Sequence, residues 1–360
     1  MINLFFNRIK EKLKDYKPFI YLNERIQAAD FPIELEGVDG LFKAALTAVL
    51  FEESGKTITI ITADEKECEA VKRDLEVLGQ DVLLFSSFNK RPYSRGKIQS
   101  SILGDRMQIM SDMLSEGSRI VVTTLRAFLS PLPPPDYIKK QIFRIGVSDD
   151  LDTVKLESML IQYGYMRVPR VSIHGEFALR GEVLDIFISG QENPVRIVFE
   201  FDEVEELKTF DPLTQKSIEK IKYTEILPVK EFIWTDERIL GLKTRLSGRE
   251  FGNVEEIEPL IEELTENREI DYEEILFPLS FDYQAKLSDY NGNEGITIFA
   301  GFENLSRLYG QVRKEYNKLY AETRITVDNP EGRFYPHPTE ILFDFDQVVE
   351  ETPDRLMLAN

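Results

Sequence analysis

Short runs of β-branched and apolar residues alternate with segments of helical periodicity over the first ~130 residues, and this alternation constrains the fold most. Residues 33–35, 57–61, 82–85 and 120–123 are predicted strands, and residues 42–53, 64–79 and 98–115 are predicted helices. Strands that are separated by helices need crossover connections, which are right-handed and place the strands parallel in one sheet. The pattern therefore predicts an open α/β layer, preceded by an amphipathic helix over residues 1–15 that packs on it.

The pattern changes after Pro131–Pro135, a proline-rich run that can continue neither a helix nor a central strand. A helix over 149–164 is followed by short extended segments, which are predicted at 165–173, 176–188, 194–202 and 221–227. Longer helical patterns return from about residue 229, including an acidic helix over 255–274, a strand at 297–299 and a helix over 305–320. The C-terminal segment, 329–360, holds four prolines and gives no clear pattern.

These changes predict two domains, the first of which is split by the second. Residues 1–142 are the first part of an α/β domain, residues 143–228 a small α+β domain, and residues 229–360 the second part of the α/β domain.

The composition excludes several classes of function. Lys and Arg number 44 against 64 Asp and Glu, a net charge of −20, which opposes nucleic-acid and anionic-membrane binding. A single cysteine, Cys68, excludes an intramolecular disulfide and a cysteine-based zinc site, and two histidines oppose a multi-histidine metal centre. No apolar run is long enough to span a bilayer. We expect a cytoplasmic protein with no membrane contact, no metal site and no catalytic residues in this region.

The segment Gly37–Ala44 lies between a predicted strand and a predicted helix, where a phosphate-binding P-loop would lie. A functional P-loop reads GxxxxGK[ST], in which glycines admit the phosphates and the hydroxyl ligates magnesium. Gly37, Gly40 and Lys43 are present here, but Phe42 replaces the second essential glycine and Ala44 replaces the hydroxyl. We expect either an ordinary strand-to-helix turn or a degenerate P-loop. In neither case do we expect this segment to hydrolyse ATP.

A specific pattern covers about 55 residues of the predicted small domain. Its runs are YMRVPRV from Tyr165, GEFALRGEVLDIF from Gly175, PVRIVFEFDEVE from Pro194 and FDPLTQKS from Phe210. This pattern resembles the UvrA-binding module that is shared by the nucleotide-excision protein UvrB and the transcription-repair coupling factor Mfd.

Two departures from UvrB favour the coupling-factor family. The P-loop is degenerate, and only twelve residues separate Tyr93 from Arg106, which leaves no room for the long DNA-gripping hairpin of UvrB. The chain thus resembles the N-terminal, UvrB-like region of coupling factors. The resemblance implies a degenerate helicase-like, P-loop-type parallel-sheet domain that is interrupted by a small α+β UvrA-binding domain.

The resemblance also implies a function and partners. Such a region recruits UvrA to RNA polymerase stalled at DNA damage, without catalysis of its own. RNA polymerase and double-stranded DNA would bind to other domains of the full-length protein, and ATP and magnesium to its motor domains. One alternative is a UvrB-like, ATP-dependent enzyme that processes DNA damage, and another is a single-strand DNA binder, which the net charge opposes.

The resemblance places the predicted UvrA-binding residues on the small domain: Arg180, Arg196, Glu200 and Arg167. Arginine suits such contacts because its planar guanidinium makes bidentate, charge-assisted hydrogen bonds with acidic groups. The alternative is that the arginines pair with Glu182, Asp185 or Glu200 on their own sheet. The family often has an aromatic residue at the position of Glu200, so the predicted surface lacks one apolar anchor or replaces it with a charge.

Overall fold

The computed structural model describes residues 2–248, 254–324 and 334–359, and of residues 2–6, 254–256 and 292–294 only the backbone. The helices, in chain order, are α1 (Ile2–Lys14), α2 (Lys17–Gln27), α3 (Gly40–Ser54), α4 (Glu65–Val77), α5 (Ser100–Leu114), α6 (Leu125–Phe128), α7 (Pro135–Gln141), α8 (Thr153–Gln162), α9 (Asp236–Ser247), α10 (Val254–Asn267), α11 (Glu273–Leu276), α12 (Phe302–Thr323), α13 (Pro338–Ile341) and α14 (Phe345–Glu351). The strands are β1 (Ile33–Leu35), β2 (Ile58–Thr62), β3 (Val82–Phe85), β4 (Ile120–Thr124), β5 (Phe143–Gly146), β6 (Met166–Arg167), β7 (Glu176–Arg180), β8 (Val183–Ile186), β9 (Val195–Glu200), β10 (Glu203–Phe210), β11 (Ser217–Ile221), β12 (Tyr223–Ile226), β13 (Ile296–Ala300) and β14 (Arg355–Leu358).

The larger domain is built on one parallel sheet with the strand order β1-β14-β13-β2-β4-β3. Every residue of β2, β4 and β13 is buried, which explains why these strands read as continuous β-branched and apolar runs. Because β13 and β14 follow the small domain in the chain, the small domain interrupts the larger one. The predicted fold class is confirmed, whereas the domain boundaries at residues 142 and 228 stay predictions.

Several elements differ from the sequence prediction. The sequence does not predict α2, nor β10, in which four of the eight residues are charged. The C-terminal segment forms β14, which lies between β1 and β13 in the large sheet. A four-residue strand that follows Pro353 is too short for its sequence to indicate a strand, and its pairing with distant strands defines it. Residues 329–333 and 360 of this segment lie outside the described residues.

The small domain is a second sheet with the strand order β11-β10-β9-β8-β7-β6. Neighbouring strands are antiparallel except β6 and β7, which are parallel. Asp152 caps the start of α8, because its carboxylate accepts from two amides of the first turn, and the buried Leu156 and Leu160 of α8 share a core with Ile197 and Phe199 of β9. α8 therefore covers one face of this sheet, and the opposite face has a smaller core of its own, formed by Val171, Ala178, Phe187 and Phe210.

The two domains are joined by close contacts. β5 and β12, which enter and leave the small domain, pair as a two-stranded antiparallel sheet. A Cβ atom on Gly104 of α5 would approach the hydroxyl of Ser189 to 2.5 Å, so α5 packs directly on the small domain. Just after β12, the carboxylate of Glu231 accepts from Nε of Arg106 at 2.7 Å, and both side chains are buried. These contacts fix the small sheet relative to the large sheet.

The described ranges contain neither a helix suited to span a membrane nor a side-chain cluster suited to a metal ion. None of the helices there combines the length and apolar character that a bilayer span requires. Likewise, no group of three or more His, Cys, Asp and Glu side chains in those ranges is arranged to hold a metal ion.

Candidate protein-binding surface

The face of the small sheet opposite α8 carries the two predicted arginines. Along β9, residues 195, 197 and 199 are buried, and Arg196, Val198 and Glu200 alternate with them on the other face. Arg196 pairs in register with Asp185 of β8, and Asp185 pairs with Ala178 of β7, two residues before Arg180. Three adjacent strands therefore bring Arg180, Asp185 and Arg196 together on one face.

Asp185 holds both arginines. Its carboxylate is fully buried, and its Oδ2 accepts from Nη2 of Arg180 at 2.7 Å. Nε and Nη2 of Arg196 donate to Oδ1 and Oδ2 at 2.6 and 2.8 Å, a bidentate pair. The hydrogen bonds that Arg196 donates to Asp185 raise the pKa of the Arg196 guanidinium, which also lies 4.6 Å from the ring centroid of Phe210. The two guanidinium groups are thus fixed in position rather than free on the surface.

The cluster of Arg180, Asp185 and Arg196 remains able to bind a partner. Its formal charge is +1, because two guanidinium groups share one carboxylate. The Arg180 side chain is 53% exposed and that of Arg196 is 19% exposed. Asp185 accounts for one of the five N–H groups of Arg180, which leaves donors directed to solvent. Pairing within the sheet, which the sequence offered as the alternative to binding, here positions the arginines without burying Arg180.

The other two predicted residues lie apart from Asp185. Glu200 is exposed on the same face as Arg196, and its hydrogen bond with Glu205 raises the pKa of the Glu205 carboxyl. Arg167 lies on the edge strand β6, and its guanidinium donates to Glu157 of α8. The structure therefore brings Arg180 and Arg196 together, places Glu200 along the same strand, and places Arg167 beside α8.

Asp185 was not among the predicted site residues, although the sequence named it as a possible partner of either arginine. It lies five residues after Arg180 and eleven before Arg196. Only the register of three antiparallel strands makes them neighbours, so spacing alone does not reveal the contact. The signal available in the sequence is an acidic residue between two apolar residues, Leu184 and Ile186, within a predicted strand.

The P-loop-like segment connects β1 to α3, as the sequence predicted. Gly37 and Gly40 both have positive φ, at 71° and 52°. The Asp39 carboxylate accepts from the amide of Gly40 at 2.6 Å, and the Asp39 carbonyl accepts from the amide of Phe42 at 3.1 Å. Amides that would face phosphates in a functional P-loop are therefore used within the turn, and a carboxylate lies beside them.

The lysine and the metal position of this segment are also altered. Nζ of the buried Lys43 donates to Glu67 of α4 at 3.0 Å, and Glu67 also accepts from the amide of Ala63 at 3.1 Å. A functional P-loop enzyme ligates magnesium with the hydroxyl of the Ser or Thr that follows the lysine. Here Ala44 replaces that residue, so this ligand is missing.

Comparison with known proteins supports the assignment of the small domain. Residues 143–232 match the family described as the UvrB interaction domain. This range begins with β5, ends just beyond β12 and contains the whole cluster of Arg180, Asp185 and Arg196.

The chain is also similar to transcription-repair-coupling factors of several bacteria. It is 34% identical to that of Borreliella burgdorferi over 248 residues, which are 68% of this chain and 21% of the relative. It is 29% identical to that of Bacillus subtilis over 339 residues, 88% of this chain and 28% of the relative. With the Haemophilus influenzae protein it shares 27% identity over 303 residues, 82% of this chain and 26% of the relative.

The chain spans about a quarter of the length of these curated relatives. The aligned part includes both the split α/β domain and the small domain that interrupts it. The chain therefore corresponds to the N-terminal, UvrB-like region of the bacterial transcription-repair coupling factors and carries a UvrB interaction domain at residues 143–232.

Proposed function

We propose that this region binds UvrA through Arg180 and Arg196 and so recruits it to RNA polymerase stalled at DNA damage, in the bacterial cytoplasm. The observation that carries the proposal is the buried carboxylate of Asp185, which fixes the exposed Arg180 and the half-buried Arg196 on one face of a UvrB interaction domain. RNA polymerase, double-stranded DNA, ATP and magnesium are proposed as ligands of other domains of a longer protein.

Charge supports this role. The chain has a net charge of −20, so the cluster of Arg180, Asp185 and Arg196, with its formal charge of +1, is a positive site on a largely acidic protein. A partner with acidic groups would be repelled by most of the surface and attracted at this cluster, which favours one docking orientation. Because Asp185 holds the guanidinium groups before binding, little side-chain entropy is lost when the partner docks.

Substitution of both arginines tests the proposal. In the full chain, the variant Arg180→Ala/Arg196→Ala is expected to bind purified UvrA about 10- to 100-fold more weakly, the loss typical of charged hot-spot residues. Isothermal titration calorimetry measures the affinity. Arg144→Ala is the matched control, because Arg144 lies on β5 and stacks 3.8 Å from the ring centroid of Tyr223, outside the cluster. Unchanged affinity in the double variant would exclude the proposed site.

We also propose that the Gly37–Ala44 segment does not bind Mg-ATP. The ion pair of Lys43 with Glu67, the carboxylate of Asp39 beside the loop amides and the missing hydroxyl at Ala44 each oppose a bound triphosphate. The region would then act as a docking module, and nucleotide hydrolysis would belong to other domains.

Equilibrium dialysis with labelled ATP and magnesium is expected to show no saturable binding to the full chain up to millimolar nucleotide. Lys43→Ala provides the control, because it removes the side chain that would contact the β- and γ-phosphates. Saturable, magnesium-dependent binding that Lys43→Ala abolishes would instead favour the UvrB-like enzyme.

A further inference from the structure

The tip of the β9–β10 hairpin presents an exposed aromatic side chain. Glu200 and Glu203 are paired, so the loop between the strands consists of Phe201 and Asp202 alone. Phe201 is 85% exposed, the largest exposed fraction of any large apolar side chain in the described part of the chain. Its φ is 58°, in the left-handed region.

Phe201 departs from two local rules at once. Two-residue hairpin loops that need positive φ use glycine, asparagine or aspartate, because a Cβ atom is disfavoured in that conformation. A phenyl ring in water also forgoes the stabilisation that burial would give. Residues that are unfavourable for folding in this way concentrate at functional sites. A residue that folding alone disfavours twice therefore points to a role outside folding.

The tip is held in place from behind. The amide of Leu151 donates to the carbonyl of Asp202 at 2.6 Å. The amides of Ser148 and Val204 donate to the carbonyls of Val204 and Asp149 at 2.8 and 2.9 Å. These bonds tie the hairpin to the segment before α8, so the exposure of Phe201 does not come from a frayed loop. The ring is displayed on a rigid support, which lowers the entropy lost on binding.

Phe201 directly follows a strand of the proposed binding surface. β9 carries Arg196, Val198 and Glu200 on the face opposite α8 and ends next to Phe201. At ~3.3 Å per residue, the backbone of Phe201 lies about 17 Å from that of Arg196. The half-buried Val183 and Val198 pair in register between them. A single protein interface, with about 800 Å² on each partner, covers this distance.

We propose that Phe201 is the apolar anchor of the UvrA interface, inserting into an apolar pocket on UvrA while Arg180 and Arg196 contact its acidic groups. The inference rests on the proposed function and adds the aromatic component of the surface. Interfaces of this kind concentrate their binding energy in a few aromatic and arginine residues that are desolvated on association.

Phe201→Gly in the full chain separates binding from folding. Glycine accepts positive φ without strain and removes the exposed ring, so the midpoint of thermal unfolding is expected to stay unchanged or rise. The affinity for purified UvrA, measured by calorimetry, is expected to fall at least about tenfold, as for an aromatic hot-spot residue. Phe201→Trp is expected to retain binding, because it keeps an aromatic ring at the tip.

The matched control is Leu213→Ala. Leu213 is 83% exposed, a fraction similar to that of Phe201. It lies in the β10–β11 turn, at the opposite end of β10 from Phe201. Its substitution is expected to leave UvrA affinity unchanged, whereas an equal loss in both variants would overturn the assignment of Phe201.

Two further outcomes separate this inference from the proposed function. If UvrA binds the chain and Arg180→Ala/Arg196→Ala weakens binding while Phe201→Gly does not, Phe201 is not an anchor and the proposed function stands. If the unsubstituted chain does not bind UvrA, the proposed function and this inference both fail.

Discussion

Glu231→Gln is expected to lower the free energy of unfolding by about 3–5 kcal/mol, as the loss of one partner of a buried ion pair does. Arg106 and Glu231 are both fully buried, and Nη1 of Arg106 also donates to the carbonyl of Ser86 at 2.7 Å. The guanidinium carbon lies 4.2 and 3.9 Å from the ring centroids of Phe85 and Phe88. A neutral glutamine would leave that guanidinium charged, buried and without its counter-ion.

Urea unfolding followed by circular dichroism measures the change. Glu315→Gln is the matched control, because Glu315 accepts from Arg126 at a similar distance, 2.7 Å, but both side chains are partly exposed. That variant is expected to lose less than about 1 kcal/mol. Equal losses of unfolding free energy in Glu231→Gln and Glu315→Gln would show that burial does not determine how much the Arg106–Glu231 pair contributes to stability.

The paired replacement Arg106→Met/Glu231→Leu distinguishes an unpaired charge from lost packing. Removing both charges with apolar residues of similar volume is expected to recover most of the stability that Glu231→Gln loses. If the pair instead contributes mainly through its shape and hydrogen bonds, the double variant is expected to be less stable than Glu231→Gln.

The sequence predicts the large domain well where local chemistry determines an element. β2 and β4 read as apolar, β-branched runs because both of their faces are covered. The predicted helix start at Asp64 is confirmed, because its carboxylate accepts from the amide of Glu67 at 2.9 Å. β14 could not be predicted in this way, because its strand character depends on pairing with β1 and β13, residues distant in the chain.

The residues of the candidate site also divide into those that the sequence could select and those that only the three-dimensional structure shows. Arg180 and Arg196 could be selected from the motif that they belong to, and the loop at Gly37–Ala44 from its spacing. The contacts of Asp185 depend on the register of three strands, and those of Glu231 on the chain returning to α5 after the small domain. Likewise, the sequence gives Phe201 no special character until its φ and its exposure are known.

Asp185→Asn is expected to weaken UvrA binding about tenfold or more, on the hypothesis that Asp185 positions the two arginines. The carboxylate accepts three guanidinium N–H groups through two oxygens. An asparagine offers one acceptor oxygen, and its NH2 group would face guanidinium donors, so at least one arginine must move. Calorimetric titration with UvrA measures the loss.

Charge alone predicts the opposite result. Asp185→Asn raises the formal charge of the cluster from +1 to +2, which would strengthen attraction to an acidic partner. Tighter binding by the variant would therefore contradict a positioning role and support attraction by net charge. Weaker binding indicates that the fixed geometry of the guanidinium groups matters more than the number of uncompensated charges.

A double-mutant comparison shows whether Asp185 acts through the arginines. In the Arg180→Ala/Arg196→Ala background, Asp185→Asn is expected to cause no further loss of affinity, because the groups that it positions are gone.

Asp211→Asn is the control for a purely structural effect, since Asp211 accepts from the amides of Leu213 and Thr214 at 3.1 and 2.6 Å in the β10–β11 turn. It is expected to lower stability but not affinity. Additive losses of affinity in the Asp185 series would instead mean that Asp185 supports the surface independently of the arginines.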